Sequence, residues 1–285
     1  MANPDVSLSY VPTWCPGCGN FGILNALKKA LAGLDPDNTV LVTGIGCSSK
    51  IAQYINTYRI ETLHGRALPV ATGIKLANHR LKVIVNGGDG DGMGLGMGHF
   101  IHTARRNPDI AYFIHNNQIY GLTKGQPSPT SDQGMVTKFS PPPSGNMEQP
   151  VNIVRQALTA GATFVARSFT TNLEQLAELM IKAIEHPGFA VVDILQPCVS
   201  FNKWNTYQWY QQRVTPVEAL EGYDPADRRA AITLSEEWGG RIPTGLFYQE
   251  LRPTLEGAIP QLAETPLARQ PLEDINVAAL MQQLR

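Results

Sequence analysis

Five short apolar runs, separated by amphipathic segments, constrain this chain more than any other feature. Residues 39–43 (TVLVT), 81–86 (LKVIVN), 110–115 (IAYFIH), 162–167 (ATFVAR) and 189–195 (FAVVDIL) are dominated by β-branched, aliphatic and aromatic side chains. Runs of that kind are strands buried on both faces. Between them, segments 21–31, 69–79, 94–106, 151–159 and 173–185 repeat apolar residues every three or four positions and read as helices. The alternation predicts an α/β fold: an open, mostly parallel sheet with helices on both faces, whose ligands bind beyond the carboxyl ends of the strands.

The unusual segments fall where that architecture wants them. GIGCSSK (44–50) follows the first run, GGDGDGMGLG (87–96) the second, NNQIYGLTKGQ (116–126) the third and QPCVSFN (196–202) the last. Glycine-rich turns alone would not gather on one edge. Lysine plus arginine (23) nearly balances aspartate plus glutamate (24) over 285 residues, so nothing in the charge points to nucleic acid or a membrane surface. The start of the chain has no basic, apolar leader and no stretch reads as a membrane span, so a cytoplasmic protein with a small-molecule site is expected.

GDG at 88–90 turns the backbone tightly while projecting Asp89, and Asn117 follows at the end of the next strand. A carboxylate, an amide oxygen and a backbone carbonyl, for which Ile119 is placed, form an oxygen set suited to magnesium on a diphosphate. The glycines leave backbone N–H groups free to approach phosphate, and the following helix adds its positive end. A nicotinamide-binding turn is the rival for such a segment, but no acidic residue follows at the right strand end, and no GxxxxGK[ST] loop is present. Cys15 and Cys18 precede the first helix, Cys47 follows the first strand and Cys198 the last. If the N-terminal loop folds over the strand edge, four thiolates converge, the complement of a structural zinc or an iron–sulfur cluster; a CPGC dithiol exchanger is the third reading.

GDG, a helix, a strand and then NN resembles the thiamine diphosphate motif, which assigns magnesium to Asp89, Asn117 and the Ile119 carbonyl. WCPGCG, GIGCSS, HGRALPVATGIKLAN, GDGDG, H-x-x-H-x-x-RRN, NNQIYGLTKGQPSPTS and PCVSFN, in order across residues 10 to 210, together resemble the β subunit of the 2-oxoacid:ferredoxin oxidoreductases. The resemblance implies that Cys15, Cys18, Cys47 and Cys198 ligate one 4Fe-4S cluster, and that Ile45, Gly46, Cys47, Ser48, His64, Gly90, Asp91, Gly121, Leu122 and Thr123 surround thiamine diphosphate. The implied reaction is oxidative decarboxylation of a 2-oxoacid, with electrons leaving singly through the cluster to ferredoxin and coenzyme A taking the acyl group. It also implies an α partner that supplies the pyrimidine-binding domain, in an α2β2 heterotetramer.

Among the remaining residues, His64 and Lys50 are the catalytic candidates. His64 is the histidine placed to meet cofactor or substrate, whereas His99 and His102 read as parts of a packing helix. Lys50 and Lys124 adjoin cofactor segments, where each either holds a substrate carboxylate or sits solvated. PCVSFNKWNTYQWYQQRV (197–214) looks more like the 2-oxoglutarate-type than the pyruvate-type β subunits, which favours 2-oxoglutarate going to succinyl-CoA, with pyruvate or broad specificity as the alternative. Residues 121–150 form a Gly-, Pro- and Ser-rich excursion, either disordered or a covering loop, and five aromatics in 201–210 suit an interface or a local core. The organisation expected is a cofactor- and cluster-binding domain over 1–210 and a helical extension over 211–285. The end of that extension, LEDINVAALMQQLR, is amphipathic and docks on a partner or on the main domain. A zinc-stapled binding module without cofactor is the reading outside enzymology, and a thiamine decarboxylase without electron transfer the second enzymatic one.

Overall fold

The computed structural model describes residues 10–271 and 276–283. Its elements run α1 (Asn20–Leu31), β1 (Thr39–Thr43), β2 (Tyr58–Glu61), α2 (Ala67–Ala77), β3 (Lys82–Gly88), α3 (Met97–Arg106), β4 (Ile110–Asn116), the small hairpin β5 (Ile119–Tyr120) and β6 (Gln126–Pro127), α4 (Ile153–Ala160), β7 (Phe164–Phe169), α5 (Leu173–Glu185), β8 (Phe189–Leu195), α6 (Tyr207–Gln211), β9 (Val214–Pro216), α7 (Arg228–Ser235), β10 (Ile242–Gln249) and α8 (Val277–Gln283). Eight strands form one sheet in the order β2-β1-β3-β4-β8-β7-β10-β9. The first six are parallel, β10 runs antiparallel to β7, and β9 is parallel to β10. This is the α/β architecture the apolar runs predict, with every one of the five runs a strand. Among the described residues no helix is long and apolar enough to cross a membrane.

The central strands β1, β3, β4, β7 and β8 send alternate side chains into two cores. Leu41, Ile84, Phe113, Val192 and Phe164 meet Ile23, Leu27, Leu176 and Met180 of α1 and α5. Val40, Val42, Val83, Val85, Tyr112 and Val191 meet Ala71, Phe100, Val154, Leu158 and Leu234 of α2, α3, α4 and α7 on the other face. Burial on both faces is why β1, β4, β7 and β8 are continuously apolar or buried along their length.

Three differences from the sequence reading have local causes. The helix expected over 94–106 is two elements, one π-helical turn at Gly90–Leu95 and then α3. Two tyrosines pack against that turn so closely that a Cβ on Gly92 would lie 2.2 Å from the Tyr112 hydroxyl and one on Gly94 2.7 Å from that of Tyr120. Second, 211–285 is not a helical extension throughout, because β9 and β10 join the main sheet and the domain continues past 210; β10, IPTGLFYQ, hides this by carrying Pro and Gly, which the end of a sheet tolerates. Third, β2 was missed because its four residues are exposed at the sheet edge and show no apolar pattern. Within LEDINVAALMQQLR, α8 is helical as expected and its described side chains are exposed; residues 272–275, 284 and 285 lie outside the described residues.

The 121–150 excursion covers the strand edge. Ser131, Met135 and Asn146 are buried within it, and the Asn146 amide donates to the Ser131 carbonyl at 3.0 Å. Of the five aromatics in 201–210, Tyr210 is core with Phe169, Leu195 and Ile242, Tyr207 and Trp209 pack against that cluster, Phe201 packs near Ile119 and Met135, and Trp204 is exposed.

Candidate active site

Because β1, β3, β4 and β8 are parallel, their following loops share one edge, and two adjoining cavities open there. The first is small and is lined by Ile45, Gly46, Cys47, Ser48, His64, Gly90, Asp91, Gly121, Leu122 and Thr123, by Asp89, Asn117 and Ile119, and by Gly88, His115 and Tyr120. Every residue singled out for the diphosphate and its metal therefore faces one space.

Asp89 follows β3 directly and is 1% exposed. Its Oδ2 accepts hydrogen bonds from Ser128 Oγ at 2.5 Å and Thr130 Oγ1 at 2.6 Å, and its Oδ1 from the Asn117 N–H at 3.4 Å. Burial pushes its carboxyl up to about 6, against the pull of Ser128, Thr130 and the Asn117 and Gly90 backbone. Its partners are thus neutral donors, and no cationic side chain pairs with it among the described residues, so a buried carboxylate is left with an electrostatic demand that a divalent cation meets. Asn117 Oδ1 lies beside it and is oriented by the Ile119 N–H at 3.0 Å. This donor set fits magnesium, and the cavity-lining Ser48 Oγ, buried without a partner, fits a phosphate oxygen.

Asp91 works differently from its neighbour. Its Oδ1 accepts from the Ile45 N–H at 3.0 Å and the Gly65 N–H at 2.8 Å, tying the loop after β1 and the loop before α2 to the turn after β3. His64 Nδ1 is 3.3 Å from the same oxygen but lacks hydrogen-bond alignment, so it remains without a partner. Burial raises the Asp91 carboxyl, with the Ile45 and Gly65 amides opposing. Thr123 spends its hydroxyl on Gln126 Oε1 at 2.6 Å, closing the β5–β6 turn.

The second cavity, about 190 Å³, is lined by all four cysteines. The N-terminal loop reaches it because Trp14 Nε1 donates to the Cys47 carbonyl at 2.7 Å and Trp14 packs edge-on against Phe21 and Tyr54. The four thiols are free and not joined in pairs. Burial, with smaller contributions from the other cysteines, pushes Cys18 up to about 11; Cys47 is raised by burial and Cys198, with Lys50 opposing. Gln196 Nε2 points a hydrogen bond at Cys18 Sγ over 3.5 Å. Among the described residues no three His, Cys, Asp or Glu side chains come close enough to share a single ion. Four thiols around one cavity are a ligand set that a 4Fe-4S cluster or a zinc ion can use.

The two cavities share Cys47, Asn117, Gly121 and Leu122. A Cβ on Gly121 would sit 3.6 Å from Cys198 Sγ and 3.7 Å from Cys47 Sγ, so Gly121 stands between those sulfurs and the first cavity, which Cys47 also lines. Lys50 and Lys124 line the cysteine cavity, not the first one; Lys50 Nζ donates to Thr13 Oγ1 at 3.3 Å. His99 and His102 line neither cavity.

Sequence reading missed five contributors. Ser128 and Thr130 sit in a loop whose partner, Asp89, is about forty residues earlier in sequence. His115, pushed down to about 3 by burial, lies between Asn20 and Asn86 under the cavity floor. Tyr120 donates to the Gly90 carbonyl at 3.1 Å, and Gln196 reaches Cys18. The PSPTS run and the HNN strand end were the signals for the first three.

Comparison with known proteins agrees with this arrangement. Residues 44–194 match the family described as thiamine pyrophosphate enzyme, C-terminal TPP binding domain. Residues 198–264, which include β9 and β10, match the family that describes the C-terminal part of the pyruvate ferredoxin oxidoreductase beta chain. The chain is 48% identical over 276 residues to the 2-oxoacid:ferredoxin oxidoreductase 1 subunit beta of Aeropyrum pernix, covering 91% of this chain and 86% of that one. It is 41% identical over 244 residues to the 2-oxoglutarate synthase subunit KorB of Archaeoglobus fulgidus, covering 85% and 86%. A solved 2-oxoglutarate:ferredoxin oxidoreductase from Magnetococcus marinus, with 2-oxoglutarate, coenzyme A and succinyl-CoA bound, superposes with a TM-score of 0.90 at 41% identity, covering 100% of this chain and 96% of that one.

Proposed function

The chain belongs to the β subunits of the 2-oxoacid:ferredoxin oxidoreductases, and from that premise we propose that it holds thiamine diphosphate, magnesium and a 4Fe-4S cluster for the oxidative decarboxylation of a 2-oxoacid, with 2-oxoglutarate preferred. The observation that carries the proposal is the common wall: Cys47 and Gly121 border both the oxygen-lined cavity and the four-cysteine cavity. A 2-oxoacid, coenzyme A and two oxidised ferredoxins would give the acyl-CoA, carbon dioxide, a proton and two reduced ferredoxins.

Asp89, Asn117 and the Ile119 carbonyl hold the metal, with Ser128 and Thr130 fixing the carboxylate. Ser48 and the Ile45–Ser48 and Gly90 backbone face the diphosphate, and Asp91 keeps those loops in register. Thiamine diphosphate supplies the electron sink into which the bond to carbon dioxide breaks. The cysteine cavity next door would position a one-electron acceptor. His64 lines the same cavity with its buried Nδ1 beside the Asp91 carboxylate and is assigned the proton near the reacting end. Lys50 and Lys124 offer ammonium groups for the distal carboxylate of 2-oxoglutarate, and the relatives named as 2-oxoglutarate enzymes support that preference. The α partner completes the site, in an α2β2 assembly working in the cytoplasm.

The test is to purify the chain anaerobically with its α partner and assay a 2-oxoacid panel by viologen reduction with and without coenzyme A. Coenzyme A-dependent reduction by brown protein is expected. Colourless protein holding zinc and no iron would overturn the cluster, and free aldehyde without viologen reduction would overturn the electron transfer. Replacing Lys50 with alanine should raise the KM for 2-oxoglutarate more than that for pyruvate; equal effects would remove its assigned role.

A further inference from the structure

A third cavity, of about 350 Å³, lies between the β4–β8–β7 part of the sheet and the start of α4, a size at which small-molecule sites are found. It shares no lining residue with the two cavities of the strand edge. Nothing in the reaction proposed above uses it. Its walls carry both signs of charge, Arg155 and Arg167 against Asp132, Asp193 and Glu236.

Two of these charges are incompletely matched. Arg167 of β7 is 1% exposed and stands in register with Asp193 of β8. Its Nε donates to Asp193 Oδ2 at 2.9 Å, and Asn116 Nδ2 donates to Asp193 Oδ1 at 3.0 Å, so that carboxylate is satisfied. Arg167 Nη1, however, is buried with no partner. The Trp238 and Phe247 rings, each 5.5 Å from its Cζ, hold the guanidinium in place but offer no lone pair, and a buried donor without an acceptor is unfavourable. The start of α4 adds further donors: Asn152 caps the Arg155 N–H at 3.1 Å, which leaves the N–H groups of Ile153 and Val154 without partners in the helix and its positive end beside the cavity. Asp132 is the opposite case. Its Oδ1 accepts from Gln118 Nε2 at 3.2 Å and Trp238 Nε1 at 2.8 Å, and its Oδ2 from Asn205 Nδ2 at 2.8 Å. All three donors are neutral, and no cationic side chain pairs with Asp132 among the described residues. Glu236 already faces Arg155 at 3.5 Å, where both side chains are more than half exposed.

We propose that this cavity binds an aliphatic α-amino acid as its zwitterion, with the carboxylate on Arg167 and the start of α4 and the ammonium group on Asp132. A simple anion would meet three carboxylates, and a simple cation a buried guanidinium. A zwitterion adds no net charge and answers both unmatched groups. Pro150, Val151, Ile153 and Trp238 give the same cavity an apolar wall, which suits a hydrocarbon side chain. Recognition at both ends also makes the site selective, because an analogue lacking either charged group leaves its protein partner unpaired.

The experiment is isothermal titration calorimetry of the assembled α–β complex with L-valine, with isovalerate, which lacks the ammonium group, and with isobutylamine, which lacks the carboxylate. None of the three is a 2-oxoacid. L-valine should bind with a Kd of about 1 mM or tighter, and each half-ligand roughly 10- to 100-fold more weakly. Val151→Phe fills the apolar side of the cavity from a half-buried position and should weaken L-valine by at least about 10-fold. Asp132→Asn should weaken L-valine by roughly 10- to 100-fold while isovalerate binds no more weakly than to wild type, a split that loss of folding would not produce. An absence of saturable heat with L-valine, half-ligands that bind as tightly as L-valine, or undiminished L-valine binding in Val151→Phe would each overturn the assignment.

Discussion

Gly90 is the position where the packing of this site can be tested by a single methyl group. A Cβ there would lie 2.3 Å from Tyr120 Cε1, 2.7 Å from Cδ1 and 2.8 Å from Cζ. Carbon atoms in contact sit about 3.5–4 Å apart, so the ring has to retreat by about 1 Å. It has little room to do so: its hydroxyl is bonded to the Gly90 carbonyl and sits where Gly94 would carry a Cβ, and its chain neighbour Gly121 abuts the Cys47 and Cys198 sulfurs. Overpacking of this kind costs about 1–3 kcal/mol. If that strain is relieved by opening the cavity, Gly90→Ala should bind thiamine diphosphate and magnesium roughly fivefold to over a hundredfold more weakly, measured by fluorescence titration of the α–β complex. Gly98→Ala on α3, where nothing lies within 4 Å of the added carbon, should bind as wild type. The decisive variant is Gly90→Ala combined with Tyr120→Val, which removes the ring and should recover much of the affinity. Wild-type affinity in Gly90→Ala, or no recovery in the double variant, would refute the reasoning, the latter by showing that Gly90 is needed for the cofactor itself.

Thr130→Val removes one of the two hydroxyls that orient Asp89 and should weaken magnesium binding by about 10- to 100-fold; a metal titration indistinguishable from wild type would show that Ser128 suffices alone. Asp193→Asn leaves Arg167, 2% exposed at its side chain and paired to Asp193 at 2.9 Å, without a counter-charge, at a cost of about 3–5 kcal/mol, and the thermal midpoint of the complex should drop clearly; an unchanged midpoint would sink that estimate. In cluster-free protein the exposed Cys15 should alkylate well before Cys18, because burial holds the Cys18 thiol up to about 11. The same shift means that the unfolded chain loses this proton near the ordinary thiol value while the fold keeps it, so the cluster-free fold should lose stability as pH rises from about 9 toward 11. Mass-spectrometric labelling and denaturation at several pH values check both points.

The strand ends were legible because their signal is local and chemical. GDGDG, NN, Cys47 and Cys198 stand just after apolar runs, and a parallel sheet has only one carboxyl edge to which they can go. The pairing of β3 with β4 that brings Asp89 beside Asn117 follows from their adjacency in sequence. β2 was not legible because an exposed edge strand needs no apolar run, and β10, although it lies between β7 and β9, was not because Pro243 and Gly245 mimic a loop. Nor were Ser128, Thr130 and Tyr120, whose roles depend on how a thirty-residue loop folds back.

By itself the sequence determined that this is a doubly covered α/β sheet, that Cys47, Cys198 and an oxygen donor set follow its strands on the carboxyl edge, and through its resemblance the enzyme family. Only the tertiary structure decided that Cys47 and Gly121 form one wall between two cavities, that the alternating glycines answer Tyr112 and Tyr120, and that Cys15 faces outward while Cys198 faces in. Periodicity and strand order are short-range properties that each residue's own side chain expresses. Which side chain fills the space above a glycine, or which face of a thiol cluster meets water, is settled by contacts between segments far apart in sequence, and exists only once the sheet has assembled.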